Sequence, residues 1–164
     1  MSLSIRPLRD NDYNEILINW WKDWGWTPPL KDFLPESGTG GMIVYDEDIP
    51  VCAGFVYITN SAVAWIEFII SNKQYRKKPE RKMALKYLVE ILTSVAEKSG
   101  KKYCYTLLKS KPLINIYKEI GYVEGDSNGL EMIKKYNYAS SNYRTVFCTG
   151  SKTKRLAKKS RIRS

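Results

Sequence analysis

The sequence predicts an α/β fold of the mixed, α+β kind, with a central sheet of six to seven strands flanked by helices. Three observations lead there. Between residues 42 and 70, runs rich in Val, Ile, Tyr and Phe are separated by short turn-forming segments, the pattern of strands joined in an antiparallel meander. From Pro79 to Lys98 the apolar residues recur at helical spacing. Beyond Lys98, strand-like and helix-like stretches alternate.

In chain order, Ser4-Ile5-Arg6-Pro7-Leu8 reads as a first strand. Asp10-Asn11-Asp12 can cap a helix, with Glu15 completing a capping box on Asp12. That helix would bury Ile16, Leu17, Trp20, Trp21 and Trp24 and end at Gly25. A proline-punctuated connection follows to Gly40-Gly41. Met42–Asp46, Val51–Thr59 and Ala62–Ile70 are the three meander strands. In the long helix, Ala84, Tyr87, Leu88, Ile91, Leu92 and Val95 form the apolar stripe, Pro79 suits the first turn and Gly100 the C-terminal cap. Lys102–Leu108 is a further strand, and Pro112–Ile120 a short helix closed by Gly121. Tyr122–Glu124 and Leu130–Tyr136 would make a final hairpin.

At 164 residues the chain can bury one substantial core but not two. The pattern places a single domain over residues 1–138 and a tail over residues 139–164. No apolar stretch approaches the roughly 20 residues that a membrane-spanning helix needs, so a soluble, cytoplasmic protein is expected. Cys52, Cys104 and Cys148 are odd in number and widely spaced, and the chain has no histidine. Neither a disulfide framework nor a metal site is suggested, and acid–base chemistry falls to carboxylates, tyrosine, cysteine or lysine. The formal charge of +10 is uneven, because eight of the 27 basic residues and no acidic residue follow position 138. The tail is either a solvated flexible segment or, through residues 152–163, a contact for nucleic acid or another polyanion.

Two segments carry candidate chemistry. In the first, the strand through Trp65-Ile66-Glu67-Phe68-Ile69-Ile70 runs into a basic loop that opens the long helix, with Arg76, Lys77, Lys78, Arg81 and Lys82 around it. A helix N-terminus with free N–H groups and added cations is a seat for phosphate, although such a turn can also be a solvated surface. Glu67 lies between two large apolar residues, where a carboxylate is costly unless it has a partner or a purpose. The second segment, Tyr103 to Ser110 followed by Leu113 to Tyr122, is a strand leading to a short helix whose Tyr117 stands four residues before Gly121.

Together, in this order and spacing, the two segments resemble the GCN5-related N-acetyltransferases over about 130 residues. Tyr75-Arg76-Lys77-Lys78-Pro79-Glu80-Arg81 stands where that family holds the pyrophosphate of acetyl-coenzyme A on a glycine loop, but it has neither glycine, and Pro79 lacks an N–H. Ile116-Tyr117-Lys118-Glu119-Ile120-Gly121-Tyr122 is similar to the family's Tyr-x-x-x-Gly-aromatic pattern. The resemblance implies a protein that uses acetyl-coenzyme A as cosubstrate and acetylates a primary amine of a small molecule or a protein. In it, Tyr117 would protonate the leaving thiolate, or else be a packing residue. Glu67 would be the base, an ammonium anchor or a structural partner. Ile69 and Ile70 would present backbone to the pantetheine arm. Arg76, Lys77, Lys78, Arg81 and Lys82 would hold phosphates, and Ser110 stands where relatives contact the cofactor. Trp24 and Trp26 fall in the family's acceptor-binding region, where they would wall a pocket or pack the first helix. A weaker resemblance in general style points to GCN5-like proteins of tailed bacteriophages. The alternative function is an inactive binding module on the same scaffold, directed at a host or virion partner.

Overall fold

The computed structural model describes residues 2–134. Five strands make one mixed sheet in simple order: β1 (Leu3–Pro7), β2 (Gly41–Asp46), β3 (Ile49–Ile58), β4 (Val63–Ser71) and β5 (Tyr103–Tyr105). The first four pair antiparallel, β2 to β4 through short connections and β1 with β2 across the helical stretch of residues 8–40, whereas β5 returns through a helix and pairs parallel with β4. β3 is buried on both faces from Val51 to Val56, which accounts for its uninterrupted apolar run.

The helical segments are α1 (Asp10–Asp12), a π-helical stretch Tyr13–Leu17, α2 (Ile18–Asp23), α3 (Pro79–Lys98) and α4 (Lys111–Glu119). They divide the core in two. On one face of the sheet α3 and α4 bury Ala84, Leu88, Leu92, Ile116 and Tyr117 against Val44, Cys52 and Ile66. On the other, Leu17, Trp20 and Trp21 pack on Ile43, Ala53, Phe55 and Ile70. No helix among the described residues is long and apolar enough to cross a membrane.

The N-terminal helix starts earlier than its sequence signals predict. Asp12 is not the cap. Its carboxylate reaches back to the Arg9 N–H at 2.7 Å and is gripped by both Arg6 guanidinium nitrogens at 2.7 and 2.9 Å. Glu15, expected to complete the box, is exposed in the π-helical stretch. The arginine supplied by β1 outcompetes the local box.

The sheet has five strands among the described residues rather than six to seven. Tyr122–Glu124 is irregular, and the last expected strand is irregular through residue 134, with residues 135–136 outside the described span. Val123, Leu130 and Met132 are 83–91% exposed, so no surface buries the apolar side of this segment, and alternation alone does not make a strand. β5 is also shorter than expected, because the chain leaves β4 after Tyr105. The tail, residues 139–164, and the domain end at 138 lie outside the described residues.

Candidate active site

The site begins with a departure of two strands. β4 and β5 pair only over Val63–Trp65 and Tyr103–Tyr105, and beyond that point the edge of β4 has no strand partner among the described residues. The main chain of residues 66–71, including Ile69 and Ile70, therefore borders a wedge where an extended amide-bearing ligand could bond to strand backbone. A bulge sharpens the wedge. Pairing with β3 shifts between Ala53 and Phe55, and Phe68 opposite has φ of 56°, a left-handed conformation that a bulky residue rarely adopts. Such strain is found where the surrounding structure holds it for a purpose. Gly54 leaves space there, since a methyl on it would come within 2.3 Å of the Ile69 Cδ1.

The bulge also changes which side chains share a face. Ile66 points into the α3 core. Glu67 and Phe68 both follow on the α2 side, before Ile69 returns to α3 and Ile70 to α2. The half-buried Glu67 carboxylate sits at the mouth of the wedge, where its Oε2 accepts the Trp65 indole N–H at 2.7 Å and the Leu107 N–H at 3.3 Å. Burial pushes its pKa above the ordinary carboxylate value, against the pull of those two donors. Glu67 thus bridges β4 to the departing chain after β5, and it is also a carboxyl group made more basic.

Tyr117 lies on the opposite face. It is 1% exposed, in edge-to-face contact with Tyr122 at 4.8 Å between ring centroids. Its hydroxyl and the Thr106 hydroxyl are both sealed from solvent and lie close enough to act on one another, but neither makes a well-aligned hydrogen bond to any group among the described residues. Burial raises the Tyr117 pKa well above the ordinary phenol value against the pull of Thr106, and the charges of Tyr122 and Glu67 add to the rise. A protonated donor without a well-aligned acceptor is the state in which a buried tyrosine could meet an incoming anion.

The third part is a basic cleft of about 400 Å³ between the start of α3 and α4, with Arg76, Lys78, Arg81, Lys82 and Lys111 on its walls. Lys77 is exposed outside that lining, and Ser110 is the N-terminal cap residue of α4, beside Lys111. The loop is not an open cradle of amides. Arg76, Lys78 and Arg81 spend their N–H groups on the carbonyls of Lys73, Tyr75 and Lys78, and Pro79 has none. Charge in the cleft is therefore presented by side chains. Lys82 is partly neutralised by Glu119 at 2.7 Å, whereas Arg76, Lys78 and Arg81 have no carboxylate partner among the described residues.

Trp24 belongs to this part of the molecule. Its indole N–H donates to the Ser71 carbonyl at 2.7 Å, and Lys73, Arg76 and Arg81 lie 5.8, 5.9 and 5.4 Å from its ring centroid. Trp26 stacks on it at 5.7 Å. Arg81 also donates from Nε to the buried Ser71 hydroxyl at 2.9 Å. Burial lowers the Arg81 pKa, and the neighbouring Arg76 lowers it further.

The structure brings Glu67, Ile69 and Ile70 together at the wedge, with Tyr117 behind it, and Arg76, Lys78, Arg81 and Lys82 at the cleft. Ser71, Thr106, Asn115 and Glu119 enter the site without having been singled out from the sequence. The signal along the chain that could have placed an aromatic side chain beside the carboxylate is the period-two spacing of Trp65 and Glu67.

No protein-family model matches this chain, and no curated protein matches it in sequence. Solved structures match its fold. A ribosomal-protein-alanine N-acetyltransferase from Brucella melitensis superposes with a TM-score of 0.58 at 14% identity, over 81% of this chain and 100% of that one. Glucosamine-6-phosphate N-acetyltransferase from Arabidopsis thaliana gives 0.56 at 15%, over 84% and 100%. N-acetylglutamate synthase from Neisseria gonorrhoeae, solved with coenzyme A and N-acetylglutamate, gives 0.58 at 16%, over 79% of this chain and 30% of that one. The chain has the fold of the GCN5-related acetyltransferases.

Proposed function

We propose that this protein is an acetyl-coenzyme A-dependent N-acetyltransferase that moves the acetyl group to a primary amine by direct attack. The observation that carries the reading is the wedge between β4 and β5, with the basic-shifted Glu67 on one face and, on the other, the buried Tyr117 hydroxyl, which has only Thr106 beside it among the described residues. Likeness of fold to acetyltransferases that bind coenzyme A supports it. The pantetheine arm would bond along the free edge of β4 at Ile69 and Ile70, and the phosphates would lie in the cleft of Arg76, Lys78, Arg81 and Lys82.

The chemistry follows from these positions. Glu67 accepts a proton from the acceptor ammonium, directly or through water, which frees the nitrogen lone pair. The amine attacks the thioester carbonyl, a C–N bond forms as the C–S bond breaks, and the nitrogen gives up its second proton to water, which restores the proton that Tyr117 loses. Tyr117 gives its proton to the departing thiolate, whose charge would otherwise be stranded in a buried site. Because the phosphates would be held by side-chain charge rather than a glycine cradle, affinity should be salt-sensitive and in the micromolar range or looser, about −8 kcal/mol. The basic residues 152–163 would add a non-specific contact to a polyanion.

Calorimetry and thermal shift with acetyl-coenzyme A, followed by mass spectrometry of reaction mixtures, test the reading. Binding with a salt-dependent constant and acetylated amine product are expected. No heat and no shift at millimolar acetyl-coenzyme A would overturn it.

A further inference from the structure

The Glu67 carboxylate is ringed by aromatic side chains on a part of the sheet that α2 does not cover. Trp65 is 40% exposed and Tyr105 is 50% exposed, and their rings meet edge to face at 4.7 Å. Trp65 is anchored through its indole N–H on Glu67. Tyr57 is the cross-strand neighbour of Trp65, and its hydroxyl is already committed to the Phe33 carbonyl at 2.8 Å. The left-handed Phe68 turns its ring against Phe33 at 5.8 Å, which extends the apolar wall.

Charge on this shelf is as informative as its rings. The other carboxylate near Glu67 is Glu131, which pairs with Lys109 at 3.5 Å. Lys101, at the far end, is spent on the carbonyls of Thr59 and Ser61. Among the described residues, the shelf thus offers one carboxylate not paired with a cation, Glu67, and its cations, Lys101 and Lys109, are already committed. A polyamine or a polyamino sugar brings several ammonium groups that would need several acceptors, and a sugar phosphate brings a dianion that would need a cation. An ammonium beside one carboxylate, on a body that lies against indole and phenol rings, meets every feature present.

We propose that the acetyl acceptor is a monoamine with an aromatic or otherwise apolar body, its ammonium at Glu67 and its body against Trp65 and Tyr105. This assignment rests on the acetyltransferase reading and names the substrate class for the same site. Proton and electron flow are those given above, the first ammonium proton going to Glu67, the second to water, and the Tyr117 proton to sulfur.

The test compares 2-phenylethylamine, spermidine and glucosamine 6-phosphate as acceptors for the full chain, by product mass and initial rate. We expect kcat/KM for 2-phenylethylamine to exceed that for the other two by roughly tenfold or more, the scale of one aromatic contact. Tyr105→Ala should raise KM for 2-phenylethylamine by roughly tenfold while the calorimetric Kd for coenzyme A stays unchanged. Binding of acetyl-coenzyme A with preference for spermidine or the sugar phosphate, or with no product from any of the three, overturns the acceptor class and leaves the coenzyme reading standing. An unchanged KM in Tyr105→Ala overturns it as well. Absence of acetyl-coenzyme A binding would remove the acetyltransferase reading and this inference with it.

Discussion

The Arg81 guanidinium lies 5.4 Å from the centroid of the Trp24 indole, and both side chains are fastened to Ser71, one to its hydroxyl and the other to its carbonyl. With Lys73 and Arg76 on the same ring, three cations are gathered beside the cleft with no carboxylate among the described residues bonded to any of them. Crowding like charges costs free energy, which the ring quadrupole and a bound anion would offset. Trp24→Leu is therefore expected to weaken coenzyme A binding by roughly tenfold and leave KM for the acceptor amine unchanged. Calorimetry and acceptor titrations read the two effects separately. A raised acceptor KM with normal coenzyme affinity would put Trp24 in the acceptor pocket instead.

Glu67 sets catalysis against stability. Its folded-state pKa is raised by burial, so its stabilising contribution is fully present below the unfolded carboxylate pKa and is lost as pH rises through the folded value. At neutral pH the ionised group bears the cost of desolvation. Glu67→Gln keeps acceptors for Trp65 and Leu107 and removes that cost, so its melting temperature should rise relative to wild type at pH 7–8 and not near pH 4. Acetyl transfer should fall in the same variant, and wild-type kcat/KM should climb with pH as Glu67 ionises. A variant that melts lower at pH 7–8 would make Glu67 a structural bridge first.

Tyr117→Phe deletes a buried hydroxyl that makes no well-aligned hydrogen bond among the described residues. Removing an unsatisfied polar group costs little or stabilises by about 1 kcal/mol, whereas removing a general acid slows the reaction roughly 10- to 10,000-fold. We expect a melting temperature equal to or above that of wild type, normal coenzyme A binding and slow transfer. Near-normal turnover would leave Tyr117 a packing residue.

The Arg6–Asp12 pair ties β1 to α1, and Tyr45 on β2 accepts a further bond from Arg6 at 2.6 Å. Burial alone would raise the Asp12 pKa, but the bonds from Arg6 and the Arg9 N–H outweigh it and hold the carboxyl below its ordinary value. Its stabilising contribution is present above the unfolded pKa and is lost as pH falls through the lower, folded one. Arg6→Met should destabilise the protein by about 3 kcal/mol at pH 7, because Asp12 is left charged and buried. Denaturation at pH 7 and pH 3 should show the difference shrinking in acid.

Truncation after residue 138 should leave folding and coenzyme A affinity intact and weaken salt-sensitive binding to polyanions, since seven of the last 13 residues are Lys or Arg. Loss of folding would move the domain boundary into the tail.

Periodicity and spacing by themselves determined the meander of β2 to β4, the long helix α3 with Pro79 in its first turn, and the order of strand, basic loop, helix, strand and short helix. These are local properties, written in which residues follow one another. A carboxylate inside an apolar strand singled out Glu67, while Tyr117 was nominated by the resemblance to the acetyltransferase pattern rather than by spacing alone. Only the tertiary structure decided what those residues meet. The separation of β5 from β4 after Tyr105, the left-handed Phe68 that sends two successive side chains to one face, and the capture of Asp12 by an arginine from another element depend on contacts between distant segments. The assignment of Trp24 shows the reason most directly. The resemblance set it in an acceptor-binding region, as a pocket wall or a packing residue, and the structure adds that its ring lies against Lys73, Arg76 and Arg81, some 50 residues away, an approach of which sequence separation carries no record.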